Sequence, residues 1–267
     1  MTSRHGNNSL CYLHKLSGIC QTKLTLFGRL AIETVSLSLF RFGGLYARLW
    51  AFAQMGLARG PLRRLPGLVS WKLCGSGTGE GFTPVPNTGV YAILCSWRDE
   101  ATARQATQHA RPFTDWRQHA AEDWTLFLAP TSVRGVWGGS APFHVSAEAG
   151  EGPLAALTRA TVRPARALQF WRRVPNISRA IGTDPRVAFK IGIGEVPWLH
   201  QVTFSIWPDT SSMAAFARAD GPHARAIRAV RDGNWFSEEL YARFRILGDI
   251  GSWDGGSPLD RLERSRG

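Results

Sequence analysis

ILCSWRDEATA at residues 93–103 and TFSIWPDTSSM at residues 203–213 are two versions of one pattern. Each is an apolar run of strand character that ends in Trp-x-Asp, at Trp97/Asp99 and at Trp207/Asp209. Small and polar residues follow, which is how a helix opens. Two more pairs occur in the same order. WKLCGSGTGEG from Trp71 matches FKIGIGE from Phe189, each an aromatic-Lys-apolar run that leads to Gly-Glu. RGVWGG from Arg134 matches GSWDGG from Gly251. Singly these matches are weak, but their shared order points to an internal duplication.

Working outward from the first of these strings, VSLSLF at 35–40 alternates apolar and polar residues, the period of a strand. Gly43-Gly44 breaks it. Leu45, Leu49, Phe52 and Ala53 then recur at helical spacing, giving a helix to about Met55, and Pro61 and Pro66 mark a loop. VSWKLC from Val69 and VYAILCSW from Val90 read as strands, Asp99–His109 and the stretch from Pro112 to His119 as helices, and WTLFLAPTSV from Trp124 as a fourth strand. The order β-α-β-β-α-β is the ferredoxin-like unit. A second unit follows the loop at 138–153. LAALTRATV from Leu154, RVAFKIGI from Arg186, HQVTFSIW from His200 and LYARFRIL from Leu240 are its strands. Its helices are Arg166–Val174, ended by Pro175, then Ser211–Arg218 and His223–Arg231.

The fold class expected is therefore α+β, with two ferredoxin-like repeats at residues 33–143 and 144–259 and a tail at 260–267. Each repeat leaves one sheet face in need of cover. Packing the sheets face to face builds, within one chain, the dimeric-type α/β barrel, and its interior is a natural ligand cavity. Residues 1–32 carry Arg4, Lys15, Lys23 and Arg29 and no acid. They read as a basic extension outside the fold, and no apolar run is long enough to span a membrane.

The chain has 267 residues, 44% of them hydrophobic, enough for a sizeable core. Eleven Trp and fourteen Phe suit a flat or polyene ligand, or simply core volume. The net charge of +12 suits an acidic protein partner or an anionic membrane. It comes from scattered arginines without a basic block or an RNA-binding motif, so nucleic acid is not expected as a partner. Cys11, Cys20, Cys74 and Cys95 form no C-x-x-C pair. Cys11 and Cys20 lie in the N-terminal extension, and Cys74 and Cys95 read as the buried thiols of a cytosolic protein.

GSGTGEGF from Gly75 lacks the spacing of a dinucleotide fingerprint and opens no helix. It is either a plain hairpin or a loop whose backbone, at Gly77 and Gly79 with Phe82 beside them, comes close to a ligand. Trp97 and Trp207 are further candidates for contact with an apolar ligand. The seven histidines show no zinc spacing, whereas single-histidine ligation of haem needs none. His109 and His119 look helical and exposed. His223 follows Pro222 in the first turn of a helix and is the first candidate ligand, with His200 its rival and a surface role the plain alternative. Arg134 ends a strand, either aimed into the cavity as a polar handle or facing solvent. Glu238-Glu239 reads as helix or turn surface.

Several strings together resemble the spheroidene monooxygenases of purple photosynthetic bacteria. They are TVSLSLFRF from Thr34, WKLCGSGTGEGFTPVPN from Trp71, APTSVRGVWGG from Ala129, HQVTFSIWPD from His200, GPHARAI from Gly221 and WFSEELYARFRILG from Trp235. The resemblance runs from about Glu33 to Leu259. It implies a haem b (iron) oxygenase of the dimeric α/β-barrel superfamily, using O2 and reduced ferredoxin, an acidic electron donor. It implies a carotenoid substrate that gains a keto group at C-2. The location expected is cytoplasmic, with peripheral contact at the photosynthetic inner membrane as the open alternative. Two other classes stay open: a cofactor-free monooxygenase of the same barrel, and a non-enzymatic carrier of haem or lipid.

Overall fold

Alternation in TVSLSLFR makes β1 (Thr34–Arg41) a two-faced strand. Val35, Leu37 and Leu39 enter one core, and Phe40 enters another on the opposite side. Ser36 and Ser38 are buried among the latter and would be costly unpaired. Trp97 Nε1 donates to Ser36 Oγ at 2.8 Å, and Thr125 Oγ1 donates to Ser38 Oγ at 2.8 Å. The computed structural model describes residues 32–172, 187–218, 233 and 235–264.

β1 is followed by α1 (Leu45–Leu57), α2 (Arg59–Arg63), β2 (Leu68–Gly77), β3 (Pro86–Trp97), α3 (Glu100–His109), α4 (Phe113–His119) and β4 (Glu122–Gly135). The second half has β5 (Leu154–Val162), a 3-10 turn at Pro164–Arg166 that runs into helical residues 167–172, then β6 (Phe189–Gly194), β7 (His200–Trp207), α5 (Thr210–Arg218) and β8 (Phe236–Gly251). α6 (Asp260–Arg264) ends the described chain. α2 replaces the loop expected around Pro61. Proline is tolerated in a first helical turn, where its missing N–H has no partner to lose.

Each half has its strands in ferredoxin-like order, β4-β1-β3-β2 and β8-β5-β7-β6. The halves join by β2 against β6 and β4 against β8 into one closed, wholly antiparallel barrel. The intrachain α/β barrel expected from sequence is therefore present, its two sheets facing each other across one interior and also joined at their edges. Joining the sheets edge to edge pairs the N–H and C=O rows that open edges would leave bare. The interior core combines Leu37, Leu94 and Leu126 from the first half with Leu157, Phe204 and Phe244 from the second. Helices α1–α4 cover the outer face of the first half, where Trp116 of α4 joins a core with Phe40, Ile93 and Trp97 of the strands.

The repeated strings have structural roles. Trp97 and Trp207 are buried at the ends of β3 and β7, on the helix side of the wall. Asp99 caps α3 by accepting from Thr102 N at 2.8 Å, and Asp209 accepts from Ser212 N at 2.7 Å at the start of α5. The third pair of strings forms two equivalent turns after β4 and β8. Trp137 bridges to Ser140 and Trp253 to Gly256, and both indoles enter the interior core from opposite ends of the barrel.

Candidate functional site

The two seams between the halves differ. β4 and β8 pair from Trp124–Gly251 to Gly135–Leu240, whereas β2 and β6 pair only at Gly75–Gly194 and Ser76–Ile193. Glycine makes the short seam possible. The hairpin after β2 lies against β6, with Gly192 N donating to Glu80 O at 2.7 Å and Ser76 Oγ donating to Gly192 O at 2.8 Å. A Cβ on Gly81, whose φ is +91°, would lie 1.8 Å from Gly192 O. The close backbone approach expected of GSGTGEGF is thus made to a strand of the same chain. Gly79 lies in this hairpin with φ +59°, and Phe82 packs with Val162, Phe170 and Trp235.

Two cavities flank the short seam and share Ser76, Gly77, Gly81 and Asn87. The first, about 310 Å³, lies between α1 (Phe52, Met55), the prolines of the β2–β3 hairpin and the β6–β7 loop (Val196, Trp198). Trp198 Nε1 donates to Pro84 O at 2.8 Å, and Trp171 Nε1 donates to Trp198 O at 3.0 Å, which ties its walls together. Glu195 and His200 also line it. The second, about 410 Å³, is rimmed by Arg41, Lys190, Glu80, Asp254 and Arg261. Its charges are largely paired: Arg41 with Asp254 at 2.7 Å and Lys190 with Glu80 at 2.7 Å.

Next to the first cavity, one end of the barrel interior is charged. Alternation along β5 turns Ala155 and Leu157 inward, and Arg159 takes the next inward position with only 3% exposure. It pairs with Glu238, which also accepts from the amides of Gly138 and Gly139 at 3.0 and 2.7 Å. The Arg159 guanidinium and the Lys72 ammonium both lie over the Trp137 ring, at 5.5 and 5.2 Å. Trp137 Nε1 donates to Glu195 Oε2 at 2.5 Å, and Lys72 Nζ is 3.6 Å from Glu195 Oε1. His200, across the ladder from Thr161, places Nδ1 3.6 Å from Glu195 Oε2, just past hydrogen-bond reach.

Buried polar atoms nearly always find partners. Here Arg159 Nε, Thr161 Oγ1 and His200 Nδ1 are buried without one, all at this end. Burial and the neighbouring Arg159 cation lower the His200 pKa from 6.5, against the pull of Glu195. The ring is therefore neutral at physiological pH, the form that binds metals. Burial opposes ionisation of Glu238, but the two glycine amides and Arg159 outweigh it and hold its pKa low. Burial pushes the Cys74 and Cys95 thiols far up, so neither supplies a thiolate.

Of the residues singled out from sequence, His200 and Gly77 line the apolar cavity, and Gly79 and Phe82 belong to the hairpin beside it. Trp97 and Trp207 sit under the helices, outside both cavities. Arg134 is exposed on β4 opposite Tyr241. His223 lies outside the described residues. His119 is not a free surface histidine, since its ring stacks on Trp50 at 3.8 Å. Glu238 and Glu239 open a strand, and Glu238 is an ion-pair partner rather than turn surface. Arg159, Glu195 and Lys72 are the residues that sequence reasoning passed over. The inward phase of LAALTRATV was the one signal for Arg159.

A closed barrel built from two repeats of one chain, with a charged interior end beside an apolar cavity, defines a dimeric-type α/β barrel protein. The crystal structure of an aldoxime dehydratase shares this fold, with a TM-score of 0.55 at 11% identity over 80% of this chain and 82% of that one. No family model matches the chain. It is 54% identical over 231 residues to a spheroidene monooxygenase of Rhodobacter capsulatus, covering 85% of this chain and 96% of the relative. It is 51% identical over 237 residues to one of Cereibacter sphaeroides, covering 88% and 73%. The chain belongs to the spheroidene monooxygenase family, a family of oxidoreductases.

Proposed function

We propose that the protein is a haem-dependent monooxygenase that places a keto group at C-2 of spheroidene or a related acyclic carotenoid, with O2 and reduced ferredoxin as cosubstrates. The observation that carries this reading is the 54% identity to the Rhodobacter capsulatus relative along nearly its whole length. The geometry suits it. The cavity wall of Phe52, Met55, Val196 and Trp198 offers an apolar slot to the end of a polyene, which has no charge to pair.

The residues present fit a haem. Iron in a porphyrin needs one protein donor. His200 is a neutral imidazole on the cavity wall, its buried Nδ1 on the side of Glu195 at 3.6 Å. Glu195 stands beside Nδ1 and is the carboxylate placed to orient the ring, leaving the other nitrogen for the metal. His223 remains the second candidate. When bound, the haem supplies the activation of O2 that attack on an unactivated C–H requires.

The chain's own side chains do the rest. The apolar walls hold the substrate end and exclude water. Burial and the Arg159 cation keep His200 unprotonated, and Arg159 is itself held by Glu238. Trp137 and Lys72 fix Glu195. Two hydroxylations at one carbon give a geminal diol, and loss of water gives the ketone. The net charge of +12 suits docking of an acidic ferredoxin.

Expression in a spheroidene-producing host, followed by mass spectrometry of the pigments, tests the reading. A pigment that has gained one oxygen and lost two hydrogens is expected, and unchanged pigment beside soluble, folded protein contradicts it. Ketone formation by purified protein that shows no Soret band would assign the reaction to the cofactor-free class.

A further inference from the structure

A surface helix normally shows one apolar stripe and one polar face. α1, LYARLWAFAQMGL, does not: its one charge is Arg48. The side toward the barrel is filled by Ala51, which is buried, and by Trp50, which stacks on His119. The opposite side carries Leu45, Leu49 and Phe52 at helical spacing, flanked by Tyr46 and Leu57, and these five side chains are 61–76% exposed. Contiguous bulky apolar surface of this kind marks a contact with something other than water.

Three further observations say what that contact is. The sequence from Thr34 to Gly79 contains no Asp or Glu, while it holds Arg41, Arg48, Arg59, Arg63, Arg64 and Lys72. Arg59, Arg63 and Arg64 are exposed on and just after α2, which follows α1 directly, and Arg59 Nε donates to Met55 O of α1 at 3.0 Å. The apolar face is also continuous with the apolar cavity, since Phe52 and Met55 line it. Across the cavity, Val196 and Trp198 are 40% and 56% exposed, and Val85, between the lining residues Pro84 and Pro86, is 58% exposed.

We propose that α1, the arginines of α2 and the tips of the β2–β3 and β6–β7 loops form a docking surface for an anionic lipid bilayer. α1 lies along the interface with its outer face among the acyl chains, while the arginines meet lipid phosphates. At 13 residues it spans about 20 Å, short of the ~30 Å hydrocarbon layer, so it rests on the bilayer. The mouth of the cavity then opens into lipid, and a water-insoluble polyene enters it without crossing water. That last step rests on the carotenoid reading, whereas the docking does not. An acidic protein partner accounts for the arginines but not for the exposed apolar side chains. A second copy of the chain accounts for the apolar face, but a two-fold interface there brings two arginine clusters together.

The test is flotation of the full-length protein with vesicles, without substrate. Equimolar phosphatidylglycerol and phosphatidylcholine vesicles should carry the protein up, less so as salt rises. Pure phosphatidylcholine should carry less. Leu45→Glu with Leu49→Glu should weaken partitioning roughly a hundredfold, about tenfold per leucine, with an unchanged far-ultraviolet spectrum. The same variant should convert detergent-dispersed carotenoid normally and vesicle-embedded carotenoid poorly. Any of three results overturns the docking proposal: vesicle binding unchanged in the double variant, no vesicle binding by the wild type, or a wild-type dimer that the variant dissolves. A variant that binds vesicles normally but loses reduction by an acidic ferredoxin assigns the face to the protein partner and overturns it too. No conversion of any carotenoid by protein that floats normally overturns the functional reading and leaves the docking standing.

Discussion

The two ends of the barrel are built from the same parts. Each has a tryptophan from the repeated turn, an arginine over its ring and a glutamate paired with that arginine. At one end these are Trp253, Arg41 at 4.2 Å and Glu122; at the other they are Trp137, Arg159 at 5.5 Å and Glu238. The environments differ. The Arg41 side chain is 37% exposed and has a second carboxylate in Asp254, while the Arg159 side chain is 2% exposed and keeps an unpaired nitrogen. His200 and the apolar cavity belong to the second end. Duplication supplied two equivalent ends. The buried, imperfectly satisfied charge is found where the cofactor and substrate are placed by our reading, which is the pattern expected when polar burial serves chemistry rather than stability.

The largest effect that can break this comparison comes from removing one glutamate at a time. Glu238→Ala leaves Arg159 buried with no carboxylate and should cost about 3–5 kcal/mol. Glu122→Ala leaves Arg41 with Asp254 and access to water, and should cost about 1 kcal/mol or less. Denaturant titration of both variants measures the difference. Equal losses would mean that the two ends are alike.

A smaller effect sharpens the role of the short seam. Gly81→Ala forces a Cβ against Gly192 O and a side chain into a left-handed backbone. It should destabilise by about 1–3 kcal/mol and reduce ketocarotenoid output more than its stability loss explains. Pigment analysis beside thermal melts checks this, and a variant with full output shows that the hairpin does not shape the site.

The smallest effect concerns the parts that both halves share. Hydrogen bonds from Ser211 and Ser212 hold Asp209 at about 2, and the Thr102 amide holds Asp99 below 3.8. Both folded values are depressed. The stability from these caps is therefore present above about 3.8, and for Asp209 it is lost as pH falls from there through about 2. Acid titration of Asp99→Asn and Asp209→Asn should each show a slightly flatter stability profile in that window. A steeper profile in either variant contradicts the assignment.

Much of the fold is legible in the sequence because it rests on local alternation. LAALTRATV and HQVTFSIW coincide with β5 and β7. Trp-x-Asp marks a strand end and a helix cap in both halves for reasons internal to each string. The site is less legible because its signals are long-range. An arginine in a strand reads as solvent-facing until its partner is known, and Glu238 lies 79 residues further on. Glu238-Glu239 looks like turn surface, yet both residues sit in β8 and pair with Thr161 and Ala160 of β5. His200 shows no spacing motif; only its inward phase on β7 and its orphaned nitrogen in the fold distinguish it from other histidines.

The central claim, that the end of the barrel holding Arg159 and His200 carries the cofactor, is tested most directly by the visible spectrum of haem-reconstituted protein. His200→Ala should lose or strongly shift the Soret band while keeping its far-ultraviolet spectrum, and His223→Ala should leave the band unchanged. Because the folded His200 pKa lies below 6.5, the wild-type band should also persist as pH falls past 6.5. A normal Soret band in His200→Ala, with the band lost in His223→Ala, would contradict the account.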